Sequence, residues 1–378
     1  MIIEDKGAEI INEVLSKAGF RCWYVGGCLR DALRNQPPKD LDLATDATPE
    51  EYVAVFKTDN RTLRLIETGL SHGTCTVVVL DEPYEITSLR TETDHDGRWA
   101  TMAYTRDLSE DLSRRDLTVN AMAMDFEGNI IDPFGGQADL AARRVRFVGN
   151  AEERMREDYL RILRYFRFHA LIAGGAPLDK EATKAIRKTR DGLRKISPER
   201  IWMEMSKIVV GPSPDMAVSY MRDLGLHEII GMPSGFAPAF GHAQRRGITN
   251  SASAMGWYVI NASSIDQTAT AWKWSGEERA RAKFIAVNSR VNSLSDWKEM
   301  LVDGAPLDWV ADLTALNGLG RNLLASWVAP KLPVGGADLI AAGMTPGPAM
   351  GDVLKTLERL WKDSDYKLTR DDLLKDLI

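Results

Sequence analysis

Asp40 and Asp42 stand two residues apart in KDLDLAT, downstream of the Gly26-Gly27 pair in YVGGCLRD. Side chains alternate across a strand, so carboxylates at i and i+2 of an extended segment face the same way. Two such carboxylates repel each other and suit hard cations such as Mg²⁺. A glycine turn that opens a short basic helix, here bearing Arg30, offers backbone N–H groups to phosphate. Either feature alone is ordinary, since Asp-x-Asp occurs on solvated strand ends and Gly-Gly in turns. In this order they describe a pocket for a metal-bound triphosphate, and so a centre for nucleotidyl transfer. Glu85, in YEITSL, becomes a third carboxylate if its strand lies beside the Asp strand. A two-ion site uses such a set, one ion lowering the pKa of the attacking hydroxyl and the other steadying pyrophosphate. Otherwise Glu85 is an exposed strand residue.

Two arginine-bearing segments extend the pattern. In SRRDLTVNAMAMD, Arg114, Arg115 and Asp116 precede a helix expected to begin near Thr118. Forked guanidinium donors suit a triphosphate, and Asp116 and Asn120 are placed for a ribose hydroxyl. The alternative is a helix cap with its salt bridge. In EDYLRILRYFRF (157–168), read as one helix, Asp158, Arg161 and Arg164 recur every three residues and Arg167 extends the row. Residues three apart share a helix face, and an Asp acceptor beside an Arg donor can read the edge of a base. The plainer reading is an ion-pair ladder worth about 0.2–0.5 kcal/mol per pair.

The elements that must carry these residues read as an α+β head followed by helices. Ile10, Ile11, Val14 and Leu15 make a helical stripe that Gly19 ends, and Phe20–Val25 and Leu41–Ala44 read as strands. Thr48-Pro49-Glu50-Glu51 is a capping box with proline at the first helical position. TCTVVVL and YEITSL read as strands joined through Asp81-Glu82-Pro83, 91–112 as a polar mobile loop, and NIIDPFGG as a strand and turn. From Leu140 onward the pattern is helical, with helices near 151–173, 179–191, 197–210 and 214–224, and an amphipathic one ending near Trp361. His95-Asp96 falls in the polar loop without partner histidines at metal spacing, and reads as surface.

At 378 residues the chain is too long for one core. No apolar run reaches the roughly 18 residues of a membrane span, and the N-terminus lacks an apolar signal core. Cys22, Cys28 and Cys75 are odd in number and lack metal spacing, which points to reduced thiols in the cytoplasm. The net charge is −6, but residues 143–207 hold 17 Lys and Arg against 9 Asp and Glu, a local +8. That segment is equally a phosphate-backbone footprint and a solvated helical surface.

In order, GGCLRD with KDLDLAT, HGT, EITSLRTE, RRDLTVNA, DPFGG and EDYLRILRYFRF resemble the motifs of class II tRNA nucleotidyltransferases. These are the CCA-adding enzymes, relatives of bacterial poly(A) polymerases. ISPERIWMEMSK (196–207) is similar to the family's last neck motif, and PGPAMGDVLKTLERLW to helical tails of bacterial members. The resemblance implies a polymerase-beta-like head (1–140), an all-α neck (141–224) with a nucleotide-selecting helix, and a helical, tRNA-binding body and tail (225–378). It implies Asp40 and Asp42 as ligands of catalytic Mg²⁺, with Glu85 a third. Gly27, Arg30 and Arg115 would hold the triphosphate, and Asp116 the sugar. Asp158 and Arg161 would pair with incoming CTP or ATP, supported by Arg164 and Arg167 and braced by Glu157. The implied partners are tRNA, CTP and ATP, with the oligomeric state open between monomer and homodimer. ETGLSHGTCTV resembles the CCA-type strand, and the full-length 91–112 segment favours addition of the terminal A. Poly(A) polymerase, CC-only addition, and a non-catalytic RNA-binding protein remain as alternatives.

Overall fold

A computed structural model of the chain describes residues 3–38, 40–59, 63–67, 69–70, 73–93, 101–233, 238–259 and 262–375. It divides into two compact units, residues 1–233 with 271–273, and residues 234–270 with 274–378. The head and neck expected from sequence thus share the first unit. His72 and His95-Asp96 lie outside the described residues.

The first unit begins with α1 (Lys6–Lys17), N-capped by Asp5, whose carboxylate accepts the Ala8 N–H at 2.9 Å. Then come β1 (Cys22–Val25), α2 (Gly27–Leu33), β2 (Asp42–Thr45) and α3 (Pro49–Thr58), the last with the complete Thr48/Glu51 capping box. After β3 (Arg64–Ile66), strands β4 (Thr74–Val79) and β5 (Glu82–Ser88) form a hairpin. Its turn is Leu80-Asp81, tighter than the sequence suggested; both residues have positive φ, which matches the twist of the flanking strands. Pro83 is therefore inside β5, at the end that β2 does not reach, where its missing N–H costs no ladder bond to β2.

Strands β6 (Arg90–Thr93) and β7 (Thr101–Tyr104) pair as a separate hairpin, followed by α4 (Leu108–Ser113). Among the described residues of the expected loop over 91–112, most are thus in strands or a helix. The helix expected near Thr118 is only a 3₁₀ turn, Thr118–Asn120, leading into β8 (Ala123–Met124) and β9 (Ile130–Ile131). The main sheet runs β3-β4-β5-β2-β1-β8-β9. Alternation sorts its faces. Cys22, Tyr24, Leu43 and Ile86 pack with Ile11, Leu15, Tyr52 and Phe56 of α1 and α3. Trp23, Val25 and Ala44 turn to the other face with Leu108 and Leu112 of α4.

Helices α5 (Gly136–Ala141), α6 (Ala151–Glu157), α7 (Leu160–Ile172), α8 (Lys180–Thr189), α9 (Pro198–Val209) and α10 (Pro214–Asp223) complete this unit's larger elements. The single helix expected over 151–173 is two. Asp158 has φ −151° and ψ 108°, an extended conformation that breaks the helix between α6 and α7.

The second unit is helical. Its longest element, Pro348–Asp363, buries Leu357 and Trp361 with Leu339 and Leu373. A buried network, in which Arg281 donates to Ser253 Oγ (2.7 Å) and Asp312 Oδ2 (2.6 Å), sits inside it. Among the described residues no helix is long and apolar enough to cross a membrane.

Candidate active site

Strands β2 and β5 are parallel neighbours with Asp42 directly opposite Glu85. Leu43 and Ile86 point into the α1/α3 core, so by alternation Asp42 and Glu85 emerge together on the opposite face. There they line a cleft of about 780 Å³. Burial pushes the Asp42 carboxyl above its ordinary range, and the Glu85 charge pushes further, against Arg115. Hard oxygen donors of like charge on a partly buried shelf fit a divalent cation, which would relieve that repulsion.

Asp40 departs from its expected place. The strand starts at Asp42, so Asp40 lies on the preceding bend, exposed. It lines a separate groove with Asn35, Pro38 and Tyr84 instead of the cleft. Its charge still contributes to raising Asp42. Among the described residues, no three His, Cys, Asp or Glu form a ready-made metal cluster.

The glycine turn is as expected. Gly26 has φ +70°, a conformation that disfavours a side chain, and a Cβ there would come within 2.9 Å of Arg115 Nη1. The turn thus lets a guanidinium lie against the backbone. Arg115 is anchored by Asp111, whose Oδ2 accepts from its Nε (3.4 Å) and Nη2 (3.1 Å), while Oδ1 accepts from Arg114 Nε (3.0 Å) and Nη2 (2.7 Å). Burial alone would raise Asp111, but Arg115 and Arg114 outweigh it and hold the carboxyl below its usual range. Arg30, buried, donates to Asn120 Oδ1 (2.8 Å) and Asp31, and lies over the Phe168 ring.

Asp116 ties the 3₁₀ turn to α7. Its Oδ1 accepts from Leu117 N–H (2.9 Å) and Asn120 Nδ2 (3.2 Å), and its Oδ2 from Arg164 Nε (2.6 Å). Burial works to raise its pKa, yet Arg164 prevails and lowers it.

The base-reading row is rearranged. Asp158 is off the helix and pairs with none of the arginines of its row. Its Oδ1 accepts the Leu160 N–H (3.1 Å) and its Oδ2 accepts Arg200 Nη2 (2.7 Å). Arg161 donates to Glu157, and also to the carbonyls of Arg154 and Arg114 (both 3.2 Å). Arg167 pairs with Glu204 at 2.8 Å. Even so, Asp158, Arg161, Arg164 and Arg167 line the same cleft as Asp42 and Glu85.

A family profile for the poly A polymerase head domain matches residues 22–146, and one for a probable RNA and SrmB-binding site of polymerase A matches 177–233. Over 386 residues, 97% of this chain and 89% of the relative, the sequence is 35% identical to the mitochondrial CCA tRNA nucleotidyltransferase 1 of Danio rerio. The chain belongs to the CCA tRNA nucleotidyltransferase family. It is also 40% identical to the Bacillus velezensis CCA-adding enzyme over 59% of this chain and 54% of that one. The solved Bacillus stearothermophilus CCA-adding enzyme in complex with CTP superposes with a TM-score of 0.78 at 29% identity, covering 98% of this chain and 96% of that one.

The counter-charges of this nucleotidyltransferase's cleft were not identified from the sequence. Asp111 and Glu204 are 2% and 1% exposed and hold four guanidiniums between them. Arg200 and Phe168 were also passed over. Phe168 has Arg30, Arg164 and Arg167 within 4.5–5.5 Å of its ring centre, each in cation–π range. The available signal was the spacing of Arg200, Glu204 and Lys207, which puts opposite charges on one face of α9.

Proposed function

We propose that this nucleotidyltransferase adds C, C and A to the 3′ end of tRNA from CTP and ATP, with release of pyrophosphate. The observation that carries the reading is one cleft lined both by the Asp42–Glu85 shelf and by Asp158 and Arg161. The shelf supplies the place for reaction at the α-phosphate, and the Asp158 side the choice of base.

Arg30 and Arg115, beside the Gly26-Gly27 turn, take the triphosphate oxygens by charge-assisted hydrogen bonds. Asp116 holds Arg164 and Asn120 and has lone pairs left for a ribose hydroxyl. Asp158 accepts from the exocyclic amine that cytosine and adenine share, and Arg161 donates to the adjacent ring nitrogen. Uracil and guanine put a carbonyl oxygen where that amine would be, facing the carboxylate, and are rejected. Asp42 and Glu85, with Asp40 at the margin, would hold divalent ions, Mg²⁺ being the natural choice, and these would supply acidification of the 3′-hydroxyl and neutralisation of the pyrophosphate charge. The basic surface of α8, including exposed Lys184, Arg187 and Lys188, lies in the segment matched by the RNA-binding profile and suits the tRNA backbone. The three cysteines are free and buried, which fits a reducing compartment such as the cytoplasm; the Danio rerio relative is mitochondrial.

The test is incubation with tRNA lacking its terminal CCA, Mg²⁺ and labelled nucleotide. CTP should add twice and ATP once after it. Extension by ATP alone on generic RNA, or full activity in Asp42→Ala, would overturn the reading.

A further inference from the structure

Base reading needs more than an acceptor and a donor; it needs them held in one plane. Asp158 sits at a helix break, where an unassisted side chain would rotate. Its carboxylate is fixed at both ends: Oδ1 by the Leu160 N–H and Oδ2 by Arg200 Nη2. Two fixed oxygens define the carboxylate plane. Each oxygen still has an unused lone pair, since an ionised carboxylate offers about four acceptor sites and these bonds take two. Arg200 can therefore stay while a base amine binds.

Arg200 comes from α9, far along the chain from Asp158, and its side chain is 31% exposed in the same cleft. One turn further along α9, Glu204 takes Arg167 at 2.8 Å and approaches Arg164 at 3.9 Å. The neighbouring Glu199 is committed to Lys273 at 2.8 Å. One face of α9 thus presents a positive and then a negative side chain, each engaging an opposite charge of the reading set. Arg161 has its own holders in Glu157 and the Arg114 carbonyl. Asp158 and Arg161 are held separately, each with its base-facing edge unengaged by the other.

We propose that Arg200 is a positioning residue for base selection: by fixing the Asp158 carboxylate plane it sets how strongly UTP and GTP are rejected. This rests on the reading of Asp158 given above. In Arg200→Gln the ratio of kcat/KM for CTP over UTP should fall by roughly tenfold or more, the discrimination one good base-edge contact carries. The melting temperature should move by no more than about 2 °C, because a part-exposed pair contributes little to stability. Arg200→Lys, which keeps a charged donor, should recover most of the ratio. Arg200→Met serves if the Gln variant does not fold. An unchanged ratio in the folded variant overturns the proposal, as does tighter CTP binding, which would make Arg200 a competitor for Asp158. Asp158→Asn separates the two levels. If it keeps full discrimination, reading by Asp158 fails; if it loses discrimination while Arg200→Gln does not, only the assignment to Arg200 fails.

Discussion

Asp111→Asn is the sharpest test of the buried framework behind the cleft. The side chain is 2% exposed, and its two oxygens accept from both guanidiniums of Arg114 and Arg115 and from the Arg90 N–H at 3.3 Å. Asparagine keeps the shape and one acceptor, but replaces the other oxygen with an amide whose hydrogens face the guanidiniums. Breaking a buried ion pair costs about 3–5 kcal/mol, and a single hydrogen bond to a charge about 1.5–3 kcal/mol. Arg114 and Arg115 retain 17% and 21% exposure, so water recovers part of their solvation and the lower end applies, about 3 kcal/mol. A unit of this size shifts by about 2–4 °C per kcal/mol, which gives a drop of roughly 6–12 °C. The pH dependence carries a sign. Arg115 and Arg114, outweighing burial, lower the folded pKa of Asp111, so its contribution is present above the unfolded carboxyl pKa of about 3.9 and disappears as pH falls through the folded value. Thermal melts of both proteins from pH 7 into acid should therefore converge below about pH 4. KM for CTP should rise at pH 7, because Arg115 loses its anchor. A gap that persists unchanged in acid, or a variant as stable as the parent at pH 7, would refute the reasoning.

Asp42 titrates the other way: burial, then Glu85, raises its folded pKa, so its favourable contribution exists in acid and is lost as pH rises through that value. Asp42→Asn should abolish nucleotide addition yet raise the melting temperature at neutral pH, and Mg²⁺ should stabilise the parent but not the variant; differential scanning calorimetry with and without Mg²⁺ decides. Gly26→Ala places a side chain at φ +70° and 2.9 Å from Arg115 Nη1. Strain of about 1–3 kcal/mol should lower the melting temperature, and displacement of Arg115 should raise KM for both nucleotides while binding of tRNA alone is unchanged.

Much of the head was legible because local rules and tertiary demand agree there. The alternation of Cys22 and Tyr24 against Trp23 and Val25 survives as the division between two cores. The Thr48 box and the Gly26 turn depend only on near neighbours. Legibility failed where the deciding contact is distant or the local signal weak. RTET is short and polar and TMAY shorter than a readable alternation, so neither outweighs a loop reading, and only pairing with each other makes them strands. The break at Asp158 has no glycine or proline. Its only local signal is an aspartate able to cap the Leu160 N–H, which a periodic run of leucines and arginines hid. One continuous helix over 157–168 would put Asp158 on a face it does not occupy; the extended backbone there leaves it on the cleft wall instead. Asp111 in LSEDLS reads as one more solvated acid; its partners Arg114 and Arg115 follow at i+3 and i+4, and only the packing of α4 on the sheet buries the group they share.

The direction of each carboxyl's shift distinguishes anchors from the chemical centre. Asp111 and Asp116 are almost fully buried, a position that should raise them, and both are lowered because arginines outweigh burial. Asp42, less deeply placed in the same cleft, is raised, with Glu85 and Asp40 adding to burial and Arg115 only partly offsetting them. A fold that can supply guanidiniums to two carboxylates but leaves the third undercompensated has concentrated negative potential at one point. A divalent cation at Asp42 would offset that cost by its charge and its preference for hard oxygen ligands. The separation between compensated and undercompensated charge supports the proposal that this cleft takes a metal-bound nucleotide.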